Sequence, residues 1–274
     1  MHNAAAPDRR ALWLPLLQRL TGASAAWVVW KNVESALTGI GDIDAAAPDG
    51  DWPVIERVFR EWAAERDLGP VIVCRHIPGG LNLLAVPPHM STLLEMGVKA
   101  RRVWRGSTLF VLDDLLPLME LDARGFRRIR PGAEGLFKLL LNGVRWDGRP
   151  DQEALKSKNV AALLRADPEG VRQAAALLGP AAAAAVAGAR QVAAGGWNRP
   201  AMLLVQSWAL ARGLREPSVM VRRARFRLRA ADLCPVVHAI LRDQRRIPAD
   251  RAGWLDRVAA DHVIHASTSR VSPS

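Results

Sequence analysis

Residues 27–48, WVVWKNVESALTGIGDIDAAAP, constrain this chain more than any other stretch. A Trp- and Val-rich run suited to a strand enters a polar, glycine-bearing turn, then returns through Asp42, Ile43 and Asp44 into a second apolar run. Side chains alternate along a strand with period two, so Asp42 and Asp44 project from the same face. Two carboxylates on one face are a means of holding a divalent metal. Asp-x-Asp pairs also arise by chance, and it is the strand-and-turn setting that raises this one above that background.

The rest of the chain bounds what such a stretch can do. With 274 residues it can bury a substantial core, as one large domain or two smaller ones. A hydrophobic share of 50% and a charged share of 24% describe a soluble globular chain. The formal net charge of +11, supplied mostly by arginine, favours anionic partners such as nucleotides, nucleic acid or phosphorylated metabolites, weighed against a plain Arg- and Ala-rich background. Cys74 and Cys234 make neither a disulfide framework nor a metal-knuckle spacing, which fits a reducing cytoplasm. The first residues lead into ALWLPLLQRL, which contains Pro15 and Arg19 and has no small-residue cleavage signal, so it is not read as a signal peptide. The uncharged run between Arg172 and Arg190 is mostly alanine, broken by Gly179, Pro180 and Gly188, and reads as a packed helical hairpin rather than a membrane span.

Taken in order, the spacing of Leu12, Leu16, Leu17 and Leu20 predicts a first helix over 9–21. Strands follow at 25–31 and 42–47, then a helix opened by Asp51 and Pro53, with Ile55, Val58, Phe59 and Trp62 as its buried stripe. VIVCRHI and LNLLAV, separated by Pro78, Gly79 and Gly80, predict a hairpin, and 92–104 another strand. From about residue 113 the pattern predicts helices only, one of them ending at Asn142-Gly143, with others at about 159–166, 169–178, 181–194, 200–213 and 233–246. The expected fold is α+β: a mixed sheet with flanking helices over 1–112, followed by an all-helical domain over 113–274.

A strand, a turn, an Asp-x-Asp on the next strand, then a helix and more strands resembles the nucleotidyltransferase fold of the DNA polymerase beta superfamily. The chain is similar in particular to bacterial nucleotidyltransferase-like proteins with a helical C-terminal half. FRRIRPGAEGLFKLLLNGVRWDGRP and LLRADPEGVRQAAALLGP resemble their helical region, and the likeness covers about residues 24–180. It implies transfer of a nucleoside monophosphate from a nucleoside triphosphate to an acceptor, a hydroxyl or similar group whose identity the resemblance leaves open. It also implies magnesium held by three carboxylates. Asp42 and Asp44 match the first two. The strand for the third reads LLEMGVK, with Gly97 at the aligned position and Glu95 two residues earlier on the same face. Catalysis and metal binding are therefore assigned to Asp42, Asp44 and Glu95. Where family members place Gly-Ser for phosphate, this chain has Lys31-Asn32, with Ser35, Thr38, Gly39 and Gly41 further along the turn.

Lys31, Asn32, Ser35, Gly39 and Gly41 are thus the expected phosphate-binding residues, joined by Lys138, the helical-region lysine that similar enzymes aim at the triphosphate. Lys138 also follows Glu134 by four, a spacing that by itself supports an exposed helix. Arg127, Arg128 and Arg130 read as a solvated basic face, or as further phosphate ligands if they line the cleft. His76 and His89 have no partner at metal spacing and read as structural. VRRARFRLRA, residues 221–230, reads as an edge strand or amphipathic element, with nucleic-acid contact as its functional alternative. No nucleophile elbow, HExxH, Rossmann fingerprint or Walker loop is present. Two other classes stay open: a catalytically decayed nucleotide-binding or partner protein, and an RNA-modifying, toxin-type transferase.

Overall fold

The computed structural model describes residues 8–39, 41–77, 80–87, 92–221, 224–225, 250 and 253. The helix expected at 233–246, most of the basic segment at 221–230, His89 and Cys234 lie outside the described residues.

A seven-stranded mixed sheet runs through the molecule in the order β3-β4-β5-β2-β1-β9-β8. Its centre is the hairpin-like pair β1 (Val28–Lys31) and β2 (Ile43–Ala46), which run antiparallel and are joined by the short helix α2 (Val33–Thr38). β5 (Leu94–Lys99) lies parallel to β2, and β3 (Val71–Ile77) and β4 (Gly80–Ala85) extend that side as an antiparallel meander. The strands expected at 25–31 and 42–47, and the hairpin after Pro70, therefore stand.

Two cores, one on each face, follow from strand alternation. On one face Trp27, Val29, Ile43, Ala45, Met96 and Val98 pack against α1 (Arg9–Ala23) and α3 (Trp52–Ala64). Asp8 caps α1 by accepting the Arg10 N–H at 2.9 Å. The buried Leu and Trp side chains of α1 meet α3, where Trp13 stacks on Trp62 with centroids 5.5 Å apart. The Trp62 indole N–H donates to the Leu12 carbonyl at 3.0 Å, so this aromatic joint is also satisfied as a polar one.

On the opposite face Val28, Trp30 and Ala46 pack against Phe110, Leu136 and Phe137. Those residues belong to β7 (Ser107–Val111) and α5 (Pro131–Lys138). The expected strand over 92–104 is broken at Ala100. β6 (Arg101–Trp104) leaves the main sheet and pairs with β7 as a separate hairpin over Trp30.

The sheet also continues past residue 112, where only helices were expected. After α4 (Leu112–Leu115), β8 (Met119–Leu121) and β9 (Arg127–Ile129) pair with each other, and β9 lies parallel to β1. These strands hold three residues each and carry Glu120, Arg127 and Arg128, so they lack an apolar period. Their pairing is secured by the tight turn between them, in which the Gly125 N–H donates to the Asp122 carbonyl at 2.8 Å with Gly125 at φ +84°. The remainder is helical, as expected: α5 continues as a π-helical turn at Leu139–Gly143, and α6 (Gln152–Ser157), α7 (Val160–Ala166), α8 (Pro168–Ala176), α9 (Ala182–Ala193) and α10 (Arg199–Leu214) follow. No helix among the described residues is long and apolar enough to cross a membrane.

Candidate functional site

The face of the sheet covered by α5 carries the candidate residues. β1 is bulged between Val29 and Lys31, and the bulge has a direct consequence for chemistry. Regular alternation would send Lys31 to the α1 face beside Val29. The extra residue instead puts Lys31 directly opposite Asp44, on the same side as Trp30. Asp44 is in turn directly opposite Gly97 on the other neighbouring strand.

Asp44 is 3% exposed, and both its carboxylate oxygens are engaged. Lys31 Nζ lies 3.1 Å from Oδ2 and Lys99 Nζ 3.2 Å from Oδ1. The Asn32 side-chain amide donates to Asp44 Oδ2 at 3.0 Å and to Asp42 Oδ1 at 3.2 Å, so it joins the two aspartates. Burial pushes the Asp44 carboxyl up, but the charges of Lys31 and Lys99 and the Lys31 hydrogen bond together outweigh it and hold the group well below the usual carboxylate range.

Lys99 arrives there from beside Gly97. Lys99 lies two residues further along β5, level with Ala46. To reach Asp44 it folds back over the space above Gly97: a Cβ built at Gly97 would lie 3.8 Å from Lys99 Nζ, 3.8 Å from Asp44 Oδ1 and 3.2 Å from Asn82 Oδ1. The position expected for a third acid is thus filled by an ammonium group and an amide. Lys31 and Lys99 also share the Trp30 indole, their Nζ atoms 5.0 and 6.0 Å from its ring centroid, and the Arg102 guanidinium is 6.0 Å from the same ring.

Glu95 is buried on the same face of β5 as Gly97, but two residues away from the level of Asp44. That offset is about 6.6 Å along a strand. Among the described residues no three His, Cys, Asp or Glu side chains are grouped so as to hold a metal ion. Magnesium requires near-octahedral oxygen ligands and releases its water reluctantly. An aspartate whose two oxygens face ammonium groups does not offer that, and as arranged these residues do not fit the metal implied by the sequence resemblance.

The turn residues chiefly shape one another. Asn32 adopts a left-handed conformation at φ 69°, which asparagine tolerates better than most residues. The Ser35 hydroxyl donates to the Asn32 carbonyl at 2.9 Å. A Cβ at Gly41 would lie 2.4 Å from Ser35 Oγ and 2.8 Å from the Ser35 carbonyl carbon, so only glycine lets the chain cross α2 there. Gly39 is nearly as close, 3.2 Å from the Ser35 carbonyl oxygen. Arg9 of α1 fixes the turn from below, donating to the carbonyls of Ala36 at 3.1 Å and Gly41 at 2.9 Å.

Lys138 does reach this region, and the exposed-helix reading of its pairing is corrected. Glu134 is 3% exposed and Lys138 7%, and their ion pair of 2.7 Å is buried. Glu134 Oε1 also accepts the backbone N–H of Asn32 at 3.0 Å, while Oε2 pairs with Arg128 at 2.8 Å. One glutamate therefore ties the helical part to the β1–α2 junction and brings Lys138 there. Arg128, expected on a solvated face, is 8% exposed and also meets Glu34 at 3.3 Å and Asp122 at 3.4 Å. Arg130 pairs with Asp167 instead, at 2.5 Å, and the Arg127 guanidinium donates to the Ser24 carbonyl. Each of the three is held by a partner within the protein.

Two residues missed by sequence reasoning complete the cluster. Lys99 had one available signal, since it lies on the same face of β5 as Gly97. Lys158 follows α6 and had none. The Lys158 ammonium group makes no hydrogen bond or ion pair with any described residue, while its backbone N–H donates to the Ala154 carbonyl at 3.1 Å. Burial lowers its ammonium pKa first of all, and the charges of Lys31 and Lys138 lower it further, against opposing contributions from Asp42 and Asp44. It therefore stands within electrostatic reach of both aspartates and of Lys31 and Lys138. On the β6 side, Arg102 lines a cavity of about 440 Å³ shared with Trp104, Arg105, Trp146 and Leu210. Its volume is within the range of small-ligand sites.

Comparison of the chain with protein-family models, with curated proteins and with solved structures gives no match.

Proposed function

We propose that this chain is a nucleotide-binding protein built on a nucleotidyltransferase-type sheet, and that it binds a nucleoside triphosphate without transferring its nucleotidyl group. The strand-turn-strand with Asp42 and Asp44, the parallel pairing of β2 with β5 and the helical part packed over that face all support the nucleotidyltransferase-type reading.

One observation carries the binding part: Lys31, Lys99, Lys138 and Lys158 converge on one face around Asp44 and Glu134, and the Lys158 ammonium group has no hydrogen-bond or ion-pair partner among the described residues. A half-buried cation held among other cations is costly unless an anion joins it. A triphosphate supplies that anion. The lysines give charge and rotatable donors for its oxygens. The non-transferring part rests on Asp44, which is neutralised from both sides where nucleotidyl transfer needs free carboxylates to place metal ions on the attacking and leaving oxygens.

The test is equilibrium dialysis of the intact protein against α-labelled nucleoside triphosphates, with pyrophosphate release followed in the same samples. Saturable binding without pyrophosphate is expected. Absence of binding overturns the reading, and nucleotide-dependent pyrophosphate release by the purified protein overturns its non-transferring part.

A further inference from the structure

The lysines do more than line a phosphate site, because two of them stand where counter-cations are needed. In a metal-dependent nucleotidyl site, acidic side chains alone would repel a triphosphate, and divalent ions reverse that sign. Here the reversal is already built in. Lys31 and Lys99 bring two positive charges to the single negative charge of Asp44, at 3.1 and 3.2 Å. The trio carries a surplus positive charge on the covered face of the sheet.

The arrangement is held by several independent features of the chain. The β1 bulge aims Lys31 across at Asp44 instead of into the α1 core. Lys99 Nζ reaches Asp44 beside Gly97, 3.8 Å from where a Cβ would stand. Asn32 fixes the carboxylate from a third direction at 3.0 Å, and the Trp30 ring lies beneath both ammonium groups. Both lysines are 9% exposed. An ammonium has three donors, so contact with Asp44 leaves N–H groups for a phosphate oxygen.

We propose that the ammonium groups of Lys31 and Lys99 take the place of divalent cations in this site, so that the protein binds a nucleoside triphosphate in its metal-free form. The inference rests on the nucleotide-binding reading above. It differs from that reading in a measurable respect, since a lysine-compensated site needs no magnesium and a carboxylate site does.

The experiment is calorimetric titration of the full chain with ATP in buffer containing magnesium and, separately, in buffer containing EDTA. The expected result is binding in both, with affinity in EDTA equal to or greater than that in magnesium, because metal-free ATP carries the larger negative charge. Binding in magnesium but not in EDTA would overturn this inference and leave the nucleotide-binding reading intact. Binding in neither would overturn both.

Two variants locate the effect. Lys99→Met should lower affinity in EDTA by about tenfold or more, and Lys99→Arg, which keeps the charge, should restore most of it. Each is compared at matched folded fraction by thermal unfolding, so that a loss of fold is not counted as a loss of binding. Unchanged affinity in a folded Lys99→Met protein would remove Lys99 from the proposed role.

Discussion

Asp44 and Gly97 face each other across the parallel pair β2 and β5, and the space above the glycine is used by Lys99 to reach the aspartate. A buried carboxylate in this setting is part of the fold's own charge balance, and its removal tests that directly. Asp44→Ala leaves Lys31 and Lys99 buried without their shared partner, and the cost expected for breaking a buried ion pair from one side is about 3–5 kcal/mol. Urea unfolding monitored by tryptophan fluorescence measures it. In a site of mutually repelling metal ligands, the same substitution would leave stability unchanged or raise it.

The pH dependence has a definite sign. The Asp44 carboxyl is held below its unfolded value by two ammonium groups. A depressed carboxyl contributes stability that is fully present above the unfolded pKa, about 4, and is lost as pH falls toward the folded one. The stability gap between the native protein and Asp44→Asn should therefore be constant from pH 7 to about pH 5 and shrink below about pH 4. Denaturant midpoints across that series check it.

Lys158 separates binding from folding. Its ammonium group has no hydrogen-bond or ion-pair partner among the described residues, and burial first of all, then the charges of Lys31 and Lys138, disfavour its protonated form. Lys158→Ala is expected to keep or slightly raise the melting temperature while lowering ATP affinity by about tenfold. A residue of purely structural value would show the opposite pattern, with stability lost and affinity kept among the folded molecules.

How much of this was legible in the sequence depended on whether apolar periodicity or ion pairing defined the element. The β1–β2 pair, α1 and α3 are apolar runs with clear spacing, and they stand where expected. β8 and β9 were hidden because they hold three residues each with no apolar period, and Arg128 of β9 meets Asp122 and Glu134, each six residues away, and Glu34, 94 residues away. Asp42 and Asp44 could be singled out from spacing alone. The role of Lys31 depended on a bulge and did not follow from strand alternation, whereas alternation does place Lys99 on the face of Gly97 and Asp44, two residues further along β5.

The packing of α5 on α8 can be tested at Gly132. Asp167 accepts N–H groups from Gly132 and Gly170 at 3.2 and 2.9 Å and pairs with Arg130. A Cβ at Gly132 would fall 1.8 Å from the Asp167 carbonyl oxygen and 2.7 Å from the Val171 nitrogen. Both are backbone atoms, so relief requires α8 to move. Gly132→Ala is expected to cost about 1–3 kcal/mol or more in chemical denaturation, whereas Gly22→Ala, with nothing within 4 Å of its Cβ, should not destabilise the protein through any clash.

The central claim is that the cations facing the nucleotide are the protein's own, and a crystal structure grown with ATP and manganese tests it most directly, using anomalous scattering to locate the metal. The account predicts a triphosphate against Lys31, Lys99, Lys138 and Lys158, with Lys99 still also on Asp44 and no manganese bound to that carboxylate. Manganese coordinated by Asp42 and Asp44, with Lys99 displaced, would contradict it.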